Sequence, residues 1–272
     1  VTQGTTDRSF FTHNAAELAK QVQDGEVRAV ARVISLLENR DPIGAAVLTH
    51  LSPSMHRAFV IGITGYPGTG KSTLIDQLII AYRRLGQKVG VLAVDTSSPV
   101  TGGAVLGDRI RMQRHTDDPQ VYIRSMATRG HQGGLAAATR QAIRVLEGAA
   151  YGVILIETVG VGQNELDVMH VVHTVVAVVA PGLGDDIQAM KAGLLEIADI
   201  VVVNKGDREG ADATLRDLRE WCKTVIRTVA VKGEGIAELI AVIAEHERWR
   251  DLDGPELHKR RGLSLDLGTR AG

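Results

Sequence analysis

From Ala58 onward, short β-branched apolar runs alternate with longer stretches in which apolar residues recur at helical spacing. The pattern predicts strands at 58 to 63, 89 to 94, 121 to 124, 153 to 157, 174 to 180, 200 to 203 and 224 to 230. Helices fit between them at about 72 to 85, 105 to 115, 134 to 147, 186 to 197, 210 to 221 and 236 to 248. Runs as continuously apolar as Val175-Val176-Ala177-Val178-Val179 or Ile200-Val201-Val202-Val203 need cover on both faces. The predicted fold is therefore α/β, a doubly wound, mostly parallel sheet of about seven strands. In such sheets ligands sit beyond the carboxyl ends of the strands.

Ahead of this lies a helical stretch. Asn14 and Glu17 form a capping box, and Ala15, Leu18, Ala19 and Val22 follow at i, i+3, i+4 and i+7, so a helix is predicted to begin at Asn14 with residues 1 to 13 frayed. A second helix carries Val27, Val30, Ala31, Ile34 and Leu37 on one face, and a short third runs from Pro42 to about Leu51. Ser52-Pro53-Ser54 reads as a link. The expected organisation is a helical extension over 1 to 55, a main domain over 56 to 248 and a tail over 249 to 272.

Composition narrows the function classes. A formal net charge of -1 gives no electrostatic commitment to nucleic acid or an anionic membrane, and 3% aromatic residues leave little for stacking on single strands. The sole cysteine, Cys222, excludes an internal disulfide and a multi-cysteine metal cluster. No apolar run reaches transmembrane length, and Val1-Thr2-Gln3-Gly4 shows neither a signal-peptide pattern nor an initiator Met. The expectation is a cytoplasmic protein, trimmed at the front.

The chemistry is written in the loops that follow the strands. Gly65-Tyr66-Pro67-Gly68-Thr69-Gly70-Lys71-Ser72 fits G-x-x-x-x-G-K-[ST] directly after an apolar run. A loop largely free of Cβ atoms can curl its N–H groups around a triphosphate. Lys71 can reach the β- and γ-phosphates, Ser72 can ligate Mg²⁺, and the helix that starts there turns its positive end to the anion. Val89 to Val94 leads to Asp95, then to a Gly-rich segment ending Gly107-Asp108-Arg109, which makes Asp95 and Asp108 candidate carboxylates on Mg²⁺ or its waters. Glu157-Thr158-Val159-Gly160 closes another buried run and matches Asp-x-x-Gly with Glu for Asp, the acid facing Mg²⁺ and the Gly160 N–H meeting the γ-phosphate. Val161 stands where small Ras-like GTPases carry a water-positioning Gln, so slow intrinsic hydrolysis is expected.

Asn204-Lys205-Gly206-Asp207 follows the run Ile200 to Val203. Guanine presents N1–H and its exocyclic amine side by side, so the Asp207 carboxylate can accept both, whereas adenine's matching edge offers no such pair. Asn204 would brace the loop and the Lys205 stem would lie along the base. A supporting loop is expected at Val229-Ala230-Val231, through backbone contacts. Lys191, in the junction that begins at Pro181, reads equally well as a nucleotide or partner contact and as a solvated helix lysine. Residues 128 to 134 read equally as a contact loop or an ordinary connection.

Together these segments, with Thr64 and Thr73 flanking the first and Thr101-Gly102-Gly103-Ala104-Val105-Leu106 preceding Gly107, resemble the MeaB/ArgK (MMAA-type) P-loop GTPases over about residues 15 to 245. The resemblance implies a Mg²⁺-dependent enzyme that hydrolyses GTP to GDP. It also implies a chaperone that loads and protects an adenosylcobalamin-dependent acyl-CoA mutase of the methylmalonyl-CoA mutase type. By the same resemblance Asp108 lies in a switch segment, Glu157 takes the metal-side role, and Lys191 belongs to a third switch that answers to the mutase. A homodimer is expected, although Gly254-Pro255 and a short basic stretch follow Trp249 where the family often carries a long helical arm. Thr96 stands where the family usually has Pro. Competing readings are a nickel-loading GTPase, a transport-associated amino-acid kinase or ATPase, and a nucleotide-dependent scaffold that hardly turns over.

Overall fold

The computed structural model describes residues 5–51, 57–95, 113–115, 117–127, 134–158, 167, 169–182 and 194–253. Its strands are β1 (Phe59–Thr64), β2 (Val89–Asp95), β3 (Val121–Ala127), β4 (Val153–Thr158), β5 (Thr174–Val179), β6 (Ile200–Val203) and β7 (Val225–Arg227). Every pairing is parallel, in the order β3-β2-β4-β1-β5-β6-β7. This is the expected doubly wound sheet.

The helices are α1 (Thr5–Gln23), α2 (Val27–Glu38), α3 (Pro42–His50), α4 (Lys71–Arg84), α5 (Gly134–Gly148), α6 (Leu194–Ile197), α7 (Ala211–Arg219) and α8 (Ile236–Asp253). Two predicted helices, 105 to 115 and 186 to 197, fall mostly outside the described residues.

Strand alternation divides the core by face. Ile61 and Ile63 of β1, Leu155 of β4 and Val176 and Val178 of β5 pack with Leu74, Leu78 and Ile79 of α4 and Leu239 and Ile243 of α8. Val60, Leu92, Val94, Ile154 and Ile156 point the other way, into a cluster shared with Leu146 of α5 and with Val30, Val33 and Ile34 of α2. The N-terminal helices thus bury their apolar faces in the same core as the sheet. Arg124 of β3 fastens them there, donating to the Ala31 carbonyl (3.0 Å) and Ser35 Oγ (2.9 Å) and pairing with the buried Glu38.

Several boundaries differ from expectation: β3 continues past 124 to Ala127, and α8 continues past 248 to Asp253, into the range expected as tail. Helix α1 starts at Thr5, so Asn14 is inside it and does not cap it. Residues 5 to 13 contain neither Pro nor Gly. A capping box competes with continued helical hydrogen bonding and loses when nothing upstream breaks the helix. At the far end, α8 is held at the foot of the sheet, where His246 Nδ1 lies 2.8 Å from Thr174 Oγ1.

Candidate functional site

The carboxyl ends of β1, β4, β6 and β7 meet on one rim. Residues 65 to 70 leave β1 there and turn into α4. Gly65 (φ 142°), Gly68 (φ 81°) and Gly70 (φ 93°) all have positive φ, a region that L side chains rarely adopt. Two of these glycines are required by contact as well as by angle. A Cβ on Gly65 would lie 2.2 Å from the Val178 carbonyl of β5, and one on Gly70 would lie 2.5 Å from Asn204 Nδ2. The glycines therefore let the loop press against the two neighbouring strand ends.

Gly70 is also the N-cap of α4 and brings no side chain to cap it, leaving a helix start suited to an anion. Lys71 is 7% exposed. Its ammonium folds back over the loop, donating to the Gly65 carbonyl at 2.8 Å and the Tyr66 carbonyl at 3.1 Å. Thr69 Oγ1 donates to the same Tyr66 carbonyl at 3.0 Å. Pro67 lies within the turn, and Thr73 stands on the first turn of α4.

Beneath the loop, Ser72 Oγ donates to Glu157 Oε1 at 2.8 Å. Glu157 is 2% exposed and pairs in register with Ile63 of β1. Asp95 is the last residue of β2, paired with Ala127. Asp108, Gly160, Val161 and Lys191 lie outside the described residues, as do residues 128 to 133.

The second half of the rim comes from β6 and β7. Asn204 is 3% exposed and holds three segments at once. Its Nδ2 donates to the Thr69 carbonyl at 2.9 Å, and its Oδ1 accepts from Thr228 Oγ1 and the Ala230 N–H, each at 3.1 Å. Lys205, at φ 56°, reaches the Gly68 carbonyl at 2.5 Å. The loop after β6 is thus bonded to the loop after β1 at two points.

Val229 and Ala230 are buried, whereas Val231 is 76% exposed. The strand expected over 224 to 230 ends at Arg227. Residues 230 to 232 then form a 3₁₀ turn closed by a bridge between Val229 and Glu234.

Asp207 sits at the surface with Lys232 beside it, Nζ to Oδ2 3.0 Å. That hydrogen-bonded ammonium holds the Asp207 carboxyl below the usual carboxylate range, and the carboxylate in turn pushes Lys232 up.

Sequence reasoning did not single out Arg227, Thr228 or Lys232. Arg227 donates to the Gly206 carbonyl and, at 2.8 Å, to Asp212 Oδ1, while the Gly206 N–H donates to the Thr228 carbonyl at 2.9 Å. The available signal was two cations flanking the predicted base loop, at 227 and 232. Cys222 is half-buried, and burial pushes its thiol up, which makes it a poor nucleophile. Among the described residues, no helix is long and apolar enough to cross a membrane.

The chain is similar to known proteins. Residues 30–267 match the family described as methylmalonyl Co-A mutase-associated GTPase MeaB. A putative GTPase of Pyrococcus horikoshii is 50% identical over 258 residues, covering 90% of this chain and 81% of its own length. The GTPase ArgK of Escherichia coli is 37% identical over 269 residues, covering 92% and 81%. A crystal structure titled LAO/AO transport system kinase superposes with a TM-score of 0.70 at 27% identity, over 92% of this chain and 80% of that one. The chain is a GTPase and belongs to the MeaB family.

Proposed function

We propose that this GTPase binds GTP across the rim formed by residues 65 to 73, 204 to 207 and 229 to 231, and serves an adenosylcobalamin-dependent acyl-CoA mutase as a chaperone for cofactor loading and protection. One contact supports the nucleotide reading most. The Asn204 amide bonds to the Thr69 carbonyl, so the phosphate loop and the base loop form a single wall that one nucleotide can span. In this reading the backbone N–H groups of residues 65 to 73, Pro67 excepted, cradle the phosphates. Lys71 leaves its two loop carbonyls for the β- and γ-phosphates. Asp207 accepts from guanine N1–H and the amine, with Asn204 and Lys205 framing the base and Val229, Ala230 and Val231 touching it through their backbone. The Gly160 N–H meets the γ-phosphate, Asp108 belongs to a switch segment, and Lys191 answers to the mutase.

The Ser72 hydroxyl and the Glu157 carboxylate are hard oxygen donors, both buried and in contact. That donor set fits Mg²⁺, which takes one or two protein oxygens and completes its shell with phosphates and water. Ser72 and Glu157 would hold the ion, with Asp95 and Asp108 as further carboxylates on it or its waters. Bound there, it would neutralise charge developing on the β- and γ-phosphate oxygens.

The mutase role rests on the family description and on the motifs that carry the resemblance. A homodimer in the cytoplasm is part of the same proposal. The test is GTP hydrolysis by the full chain, alone and with a holo acyl-CoA mutase. Slow turnover alone and acceleration by the mutase are expected. An unchanged rate with every such mutase would overturn the chaperone reading and leave the GTPase standing.

A further inference from the structure

The base end of the rim carries a cation that the reading above does not use. Lys232 closes the 3₁₀ turn after β7. Its backbone is fixed there by Lys232 N–H donating to the Val229 carbonyl at 2.8 Å, and by Gly233, at φ 73°, donating to the Ala230 carbonyl at 3.1 Å. From this rigid turn its ammonium reaches across to Asp207 Oδ2 at 3.0 Å. The two residues lie on different loops, one after β6 and one after β7, and both side chains are roughly half-exposed, 41% for Asp207 and 53% for Lys232.

Exposure makes the pair informative. A carboxylate at the surface samples several rotamers, and only the one that turns both oxygens to the base can accept guanine's two donors. Fixing a mobile side chain on binding costs affinity, and a contact that fixes it beforehand removes that cost. The lysine does not compete for the acceptor. An ionised carboxylate offers about four lone-pair positions, and one ammonium plus two guanine donors occupy three.

We infer that Lys232 is a positioning residue for guanine selection, holding the Asp207 carboxylate turned toward the base before the nucleotide arrives. This rests on the reading of Asp207 as the guanine acceptor. The contribution of Lys232 should therefore scale with how many bonds a base makes to Asp207: two for GTP, one for ITP, which lacks the exocyclic amine, and none for ATP.

The experiment is calorimetric titration of the full chain with GTP, ITP and ATP, comparing the unsubstituted protein with Lys232→Met, Lys232→Arg and Asp207→Asn. Lys232→Met is expected to weaken GTP by about three- to tenfold, the cost of immobilising one side chain. ITP should lose less and ATP nothing, and Lys232→Arg should restore most of the GTP affinity. GTP affinity that is unchanged or tighter in Lys232→Met overturns the inference, the second result meaning that the lysine blocks the site. Equal losses for all three nucleotides also overturn it, because they report damage to the loop and not to base reading. If Asp207→Asn leaves the GTP to ATP ratio unchanged, the guanine-acceptor reading itself fails and takes the inference with it. If Asp207→Asn collapses that ratio while Lys232→Met does nothing, only the inference fails.

Discussion

The two ends of the candidate nucleotide site are built in opposite ways. At the phosphate end Lys71, Ser72 and Glu157 are all buried, and the loop above them is bent by glycines that press directly on β5 and Asn204. At the base end Asp207 and Lys232 stand in solvent and are held chiefly by one another. A buried cation and carboxylate cost several kcal/mol to desolvate unless they are bonded, so the phosphate end is over-determined by its surroundings. An exposed ion pair adds little stability and gives way easily. In the proposed reading the phosphate end is a fixed receptor for charge, and the base end is an adjustable reader whose orientation has to be supplied. Asn204 joins the two.

That contrast can be broken at several points. Lys71→Ala removes the charge-assisted contacts to the phosphates and should weaken GTP, ITP and ATP alike by about a thousandfold, roughly 4 kcal/mol. Equal titration curves with and without the lysine would mean that the loop is not a phosphate receptor. Glu157→Gln keeps the shape of the buried acid and loses its charge. Turnover should fall by about a hundredfold with GTP affinity changing far less, since the ion Glu157 would hold acts on charge that develops during transfer; single-turnover kinetics beside equilibrium binding separate the two. Asn204→Ala should weaken GTP by about tenfold, far less than the loss of Lys71. It should also cost about 2 kcal/mol in urea unfolding, because the Ala230 N–H and the Thr69 carbonyl lose a buried partner. Normal stability with lost affinity would show that it touches the base and braces nothing.

Much of this was legible before any coordinates. Strands β1, β2, β4, β5 and β6 fall within a residue or so of their predicted ranges, because a continuous β-branched run flanked by Gly or Asp leaves few alternatives. The glycine turn between β1 and α4 was legible because G-x-x-x-x-G-K-[ST] fixes both residue type and spacing. The start of α1 was not, since a local capping signal at Asn14 says nothing about whether the upstream chain also coils. Arg124 was silent for a different reason. It sits in a strand whose neighbours are polar and apolar in turn, and its partners Ala31, Ser35 and Glu38 lie about ninety residues away along the chain. Lys232 was likewise hidden, because its meaning depends on a loop from another strand.

The Arg124 clasp also constrains how this protein can change. The first helices cover Leu146 and its neighbours on α5, and they carry the carboxylate that neutralises Arg124. Without them the molecule would show water an oily flank with a stranded guanidinium at its border, a surface prone to self-adhesion. Layer and sheet therefore share one core, and a variant without the layer should need a new cover for that flank to stay in solution.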